Sequence, residues 1–92
     1  MESKEMKTAE KFLLKSKQAF AEKIPRNKLS DITVTECVRD EAFQEAARFR
    51  FTGAVGAASS TGKLRTYQYH ATVDVKEKDA EIVDLEVLPI EG

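Results

Sequence analysis

Between Arg48 and Val75 the apolar positions recur at every second residue, twice over. Phe49, Phe51, Gly53, Val55 and Ala57 share one parity against Arg48, Arg50 and Thr52; then Tyr67, Tyr69, Ala71, Val73 and Val75 alternate with Thr66, Gln68, His70, Thr72 and Asp74. Such alternation marks two strands, each with one buried and one wet face. Ser60-Thr61-Gly62 suits a three-residue hairpin loop that ends on a left-handed glycine. Pairing Ser59 with Lys63 sets Phe49 against Val73, Phe51 against Ala71, Gly53 against Tyr69 and Val55 against Tyr67. A large ring then covers the glycine gap, and Arg48 meets Asp74 across the strands, an ion pair worth a fraction of a kcal/mol to about 1.

Upstream, Met6, Ala9, Phe12, Leu13, Ser16, Ala19, Phe20 and Ile24 recur at three- and four-residue steps, which predicts one amphipathic helix from Lys4 to Lys23, stopped by Pro25. Lys4, Lys7, Lys11 and Lys15 form a basic ridge on its other face. A first strand is expected near Leu29 to Val38, with Ile32, Val34 and Val38 on one face and Thr33, Thr35 and Cys37 on the other. Glu36 interrupts the apolar side, and a bulge that turns it outward avoids the cost of burying a carboxylate. Asp40 to Ala47 reads either as a short helix capped by Asp40 or as a turn around Arg39 to Ala42 followed by a long second strand; the turn is favoured. Glu77-Lys78-Asp79 reads as a charged turn into a fourth strand near Glu81 to Leu88, with Val83, Leu85 and Val87 facing the core and Asp84 and Glu86 outside. Pro89 suits the end of a strand at a sheet edge.

These elements predict an α+β domain spanning residues 1–92: one N-terminal helix packed on a four-stranded, strongly bent antiparallel meander, with Gly53 and Gly56 at the bend. This order resembles the cystatin-like architecture, and the segment Gly62 to Lys76 has the cadence of the corresponding cystatin strand. The resemblance implies the fold and not protease inhibition. Where cystatin inhibitors carry a Gln-x-Val-x-Gly loop this chain has Gln44-Glu45-Ala46-Ala47-Arg48, and it has no tryptophan for the Pro-Trp pair of the next inhibitory loop.

Composition narrows the function by exclusion. Ninety-two residues give room for one core. No run approaches the roughly 20 apolar residues of a membrane span, and the charged start Met-Glu-Ser-Lys-Glu-Met-Lys has no apolar segment behind it. With a single cysteine, Cys37, the expectation is a soluble protein of a reducing cytoplasm. A net charge of -1 gives no general attraction to nucleic acid, which is not an expected partner. Charge is uneven along the chain: residues 1–28 hold eight basic groups against four acidic, whereas residues 71–92 hold two lysines against seven carboxylates. That polarity could steer self-association.

The chemistry-bearing residues do not assemble into a catalytic signature. Cys37 and His70 fall on the polar parity, yet a meander separates their strands by two spacings, about 9.5 Å, against the roughly 3 Å a nucleophile and its base need. Gly53-x-x-Gly56 and Gly62-Lys63 make no phosphate loop. A lone histidine without carboxylates at ligand spacing implies no metal, and no cofactor is implied. The candidate binding residues are therefore Arg48, Arg50, Gln68, His70 and Thr72 on the wet sheet face, able to meet a small anion, with the lysine ridge as a second surface. The expected function is a non-enzymatic interaction module that meets a protein partner or another copy of itself through its sheet face, edge strand or hairpin tips. The alternative is a small-ligand site or modest enzyme between helix and sheet, for which a cavity among Phe12, Phe20, Tyr67 and Tyr69 is the requirement.

Overall fold

The helical stripe from Met6 to Ile24 is divided between two helices. In the computed structural model, which describes residues 4–77 and 79–90, α1 spans Lys4–Leu14 and α2 spans Lys17–Lys23. The single helix expected from periodicity breaks at Ser16, whose hydroxyl donates to the Phe12 carbonyl at 2.7 Å. The Lys15 and Ser16 amides close tight turns on the Phe12 and Leu13 carbonyls. A serine hydroxyl that bonds backbone in this way competes with the helix ladder, and a three-residue periodicity cannot register it. The stripe survives the break: Ala9, Leu13, Phe20 and Ile24 are all buried.

Four antiparallel strands follow, β1 (Lys28–Arg39), β2 (Ala47–Ala58), β3 (Leu64–Lys76) and β4 (Asp79–Pro89), in the order β1-β2-β3-β4. The β2–β3 hairpin has the register that its turn and alternation demand, with Phe49 opposite Val73, Phe51 opposite Ala71, Gly53 opposite Tyr69, and Arg48 opposite Asp74. The Ser59 amide donates to the Lys63 carbonyl at 2.9 Å, and Gly62 takes the left-handed φ of 85° that closes the loop. Glu77 also has a positive φ, 54°, after β3; Lys78 of the expected charged turn lies outside the described residues.

One face of the sheet carries the core. Phe49, Phe51, Val55, Tyr69, Ala71 and Val73 pack with Leu13 and Phe20 from the helices. Phe20 meets Tyr69 edge-on with ring centroids 5.0 Å apart, and both residues are fully buried. The Tyr69 ring reaches across β2 over Gly53, and its hydroxyl donates to the Thr33 carbonyl of β1 at 2.8 Å. A side chain on Gly53 would run into that carbonyl and that hydroxyl. What Gly53 provides is room for this close approach.

Three bulges account for the strand faces that simple alternation misplaces. β1 slips register between Leu29 and Ile32 and again between Val34 and Glu36. The second slip leaves Glu36 exposed, as expected, but it also reverses everything after it. Cys37 now pairs with Phe51 on the core side, and Val38, expected inside, pairs with Arg50 and is 50% exposed. In β4 the slip falls at Val83, so Ile82 rather than Val83 packs against the core together with Leu85 and Val87. The segment 40–46 is neither helix nor strand. The Ala42 amide closes a turn on Asp40 Oδ1 at 3.2 Å, and Phe43, which fits the strand parity, belongs to this loop because β2 begins only at Ala47.

Candidate interaction surface

With α1 and α2 on one face, the other face of the sheet has no covering element among the described residues. Its central rows come from the outward positions of β2 and β3. Gln68, His70 and Thr72 stand in line on β3, with Ala54, Thr52 and Arg50 opposite them on β2 and Arg48 next in that row, so the five expected binding residues do share one face of two adjacent strands. Their charges are already matched within the fold. Arg48 donates from Nε to Asp74 Oδ1 at 2.7 Å and from Nη2 to Asp74 Oδ2 at 2.9 Å, and its guanidinium stacks on the Phe43 ring, 3.6 Å from the centroid.

Asp74 is buried to 5% exposure, and the bidentate hydrogen bond from Arg48 holds its carboxyl below the usual carboxylate range. The same bond raises the Arg48 guanidinium. Arg50 pairs with Asp40 at 3.0 Å. His70 Nδ1 lies 3.3 Å from Thr52 Oγ1 and faces Glu86 on its other side. An anion at this place would have to compete with two intramolecular carboxylates for both arginines. Of the lysine ridge, Lys4, Lys7 and Lys11 are exposed on α1, while Lys15 lies just beyond the end of that helix.

Cys37 and His70 stand on strands separated by β2 and on opposite faces of the sheet. Among the described residues no group of three His, Cys, Asp or Glu side chains converges to hold a metal. The space between Phe20 and Tyr69 is filled by the rings themselves. A cleft of about 650 Å³ lies at the end of the sheet, between Glu5, Phe43, Ala47, Val75 and Glu77. A second, of about 470 Å³, lies at the opposite end beside Leu29, Ala57 and Leu64.

The feature that simple alternation misses is the difference between the sheet's two edges. On β1, hydroxyls turn back onto β2: Ser30 and Thr35 donate to the Gly56 and Thr52 carbonyls at 3.2 and 2.9 Å, and Thr33 donates to Ala54 at 3.1 Å. Ion pairs from the helices also reach β1, Lys17 to Asp31 at 3.6 Å and Glu5 to Arg39 at 4.0 Å. β4 lacks any such fringe or ion pair among the described residues, and no strand lies beyond it. Among the described residues, three of the six exposed large apolar side chains, Val83, Leu88 and Ile90, sit on β4 or directly after it. The sequence signal for this was the adjacent pair Ile82-Val83, where two apolar residues cannot both face the core without a bulge. No helix among the described residues is long and apolar enough to cross a membrane. No protein-family model, curated protein or solved structure matches the chain.

Proposed function

We propose that the chain is a non-enzymatic binding module that takes up an extended polypeptide as a fifth strand on β4. The observation that supports this most directly is the contrast between the edges: β1 is bulged twice and fringed with hydroxyls, whereas β4 is an 11-residue edge bulged once, with exposed apolar side chains along it. An edge strand presents a row of backbone N–H and C=O groups that another extended chain can satisfy. The inward positions Ala80, Ile82, Leu85 and Val87 are only partly buried although they pack against the core. Both helices reach β4, so an added strand would extend an apolar floor that the helices already border.

The experiment is selection of binders from a displayed library of random ten-residue peptides, followed by amide hydrogen exchange on the complexes. Selected extended peptides that slow exchange in β4 support the reading. Protection confined to β1, to α1 or to the Arg50 and His70 rows moves the site elsewhere, and a library that yields no binders removes the reading.

A further inference from the structure

The side chains of β4 also specify which strand it would accept. Asp79, Glu81, Asp84 and Glu86 occupy successive outward positions of β4, opposite Lys76, Asp74, Thr72 and His70 of β3. All four are exposed, and none takes part in an ion pair among the described residues. Successive outward positions on a strand repeat at about 6.8 Å, and an added strand places its own alternate side chains at the same repeat. Cross-strand neighbours of opposite charge stabilise a pairing and like charges oppose it. Resting on the strand-addition reading, we infer that the partner is a basic amphipathic strand, with Lys or Arg at alternate positions facing the carboxylate row and apolar residues between them continuing the row of Ile82, Leu85 and Val87.

The same row argues against two copies pairing through β4. An antiparallel β4–β4 junction sets carboxylates against carboxylates on the outer face, which like-charge repulsion opposes. The lysine ridge of a second copy is a weaker occupant. Lys4, Lys7 and Lys11 repeat at about 4.5 to 6 Å along the α1 axis, close to the carboxylate repeat, but a helix cannot satisfy the edge amides and carbonyls. Such a contact would consist of exposed ion pairs, which are individually weak and screened by salt.

The test uses three ten-residue peptides with valine at alternate positions and Lys, Thr or Glu between, together with the lysine peptide carrying a central proline. Binding is measured by calorimetry at low and high salt, with amide exchange to locate it. The expected result is that the Lys-Val peptide binds at least tenfold more tightly than the Thr-Val peptide at low salt, that the gap closes at high salt, that β4 amides become protected, and that proline abolishes binding. In the Asp84→Lys, Glu86→Lys double variant the preference should pass to the Glu-Val peptide; both positions are exposed, and circular dichroism checks that the variant is folded.

The outcomes separate the two ideas. Equal binding of Thr-Val and Lys-Val peptides with β4 protected overturns the charge specificity and keeps strand addition. Equal binding of the lysine peptide with and without proline overturns strand addition itself. Salt-sensitive self-association of the chain alone, seen by light scattering and lost in a Lys7→Glu, Lys11→Glu variant, overturns the basic-strand partner in favour of a second copy.

Discussion

The two edges of this sheet border the same core yet are built in opposite ways. β1 is crossed by the Tyr69 hydroxyl, which reaches its Thr33 carbonyl over Gly53, and its Ser30 and Thr35 side chains occupy β2 carbonyls beside the bulges. β4 is held to β3 by the ladder and to the core by Ile82, Leu85 and Val87, and among the described residues it adds no side-chain hydrogen bond or ion pair. A bulge removes ladder bonds and twists an edge away from would-be partners. Beside the β1 bulges the β2 carbonyls of Gly56 and Thr52 accept from the Ser30 and Thr35 hydroxyls of β1, so the bulges cost little in unsatisfied groups. The lesson is that an open edge is recognised by what its side chains do to the neighbouring backbone, and position in the sheet order does not reveal it.

The largest expected effect comes from loosening β1 while leaving β4 alone. Gly53→Ala puts a methyl group into the Thr33 carbonyl and the Tyr69 hydroxyl, and the backbone side of that clash cannot rotate away. The expected loss is about 3 kcal/mol or more, the upper end for overpacking, measured by urea unfolding. Native-state hydrogen exchange should show β1 amides opening well before those of β4. Equal loosening of both edges would mean that Gly53 supports the core as a whole and has no special relation to β1.

Tyr69→Phe is gentler and more selective. It removes the donor to the Thr33 carbonyl and leaves the ring against Phe20, for an expected loss of about 1–2 kcal/mol. The same hydroxyl gives a pH signature. Burial, assisted by the charge of Glu10, pushes the Tyr69 phenol up to about 12, so the fold favours the neutral form. Its contribution is complete below the ordinary tyrosine value of about 10 and is lost as pH rises from about 10 towards 12. The difference in stability between the native chain and the Phe variant should therefore be constant at neutral pH and shrink across that alkaline window. A difference that stays constant up to pH 12 would mean that the phenol is not held neutral by the fold.

These residues also show where the sequence was legible. Alternation and a three-residue loop sufficed for the β2–β3 register, for Tyr69 over Gly53 and for Arg48 facing Asp74, because a hairpin turn and a buried parity jointly exclude slipped pairings. The bulges were legible only in part. Glu36 signalled one because a carboxylate facing the core is expensive, but the reversal after it, which takes Cys37 in and Val38 out, follows from adding a residue and carries no composition signal. Phe43 fitted the strand parity and instead lies under Arg48, a tertiary contact across a loop. The helix break at Ser16 was hidden because the stripe stays in phase on both sides of it. Of the candidate surface, Arg48, Arg50, Gln68, His70 and Thr72 were assigned to one face from parity alone. That Asp74 and Asp40 occupy both arginines required the folded geometry.

The hydroxyl fringe itself is the next smaller effect. Ser30→Ala and Thr35→Val each delete one donor to a β2 carbonyl at an exposed place, where water replaces most of what is lost. Each should cost about 0.5–1 kcal/mol. Their significance is in kinetics of opening: amides of β1 beside each bulge should exchange faster, with β4 unchanged. A pair of variants with native exchange in β1 would show that the bulges alone close this edge.

The smallest expected change in stability belongs to the open edge, and it carries the most weight for function. Val83 is the bulged residue of β4 and is 42% exposed, so Val83→Lys should alter stability by no more than about 0.5 kcal/mol. A lysine on an edge strand nonetheless discourages further pairing, because an added strand must desolvate or displace its ammonium group. Uptake of both the uncharged Thr-Val and the basic Lys-Val peptide should therefore fall, the latter also through loss of local negative potential. Val38→Lys places the same charge at a 50% exposed position on β1 and should leave peptide uptake unchanged. If the two variants weaken binding equally, the edges are functionally equivalent and the hydroxyl fringe of β1 has a structural role only. If Val83→Lys alone does so while both variants keep native stability, β4 is the strand that pairs, and the bulge that turned Val83 out of the core has placed it where a partner must pass.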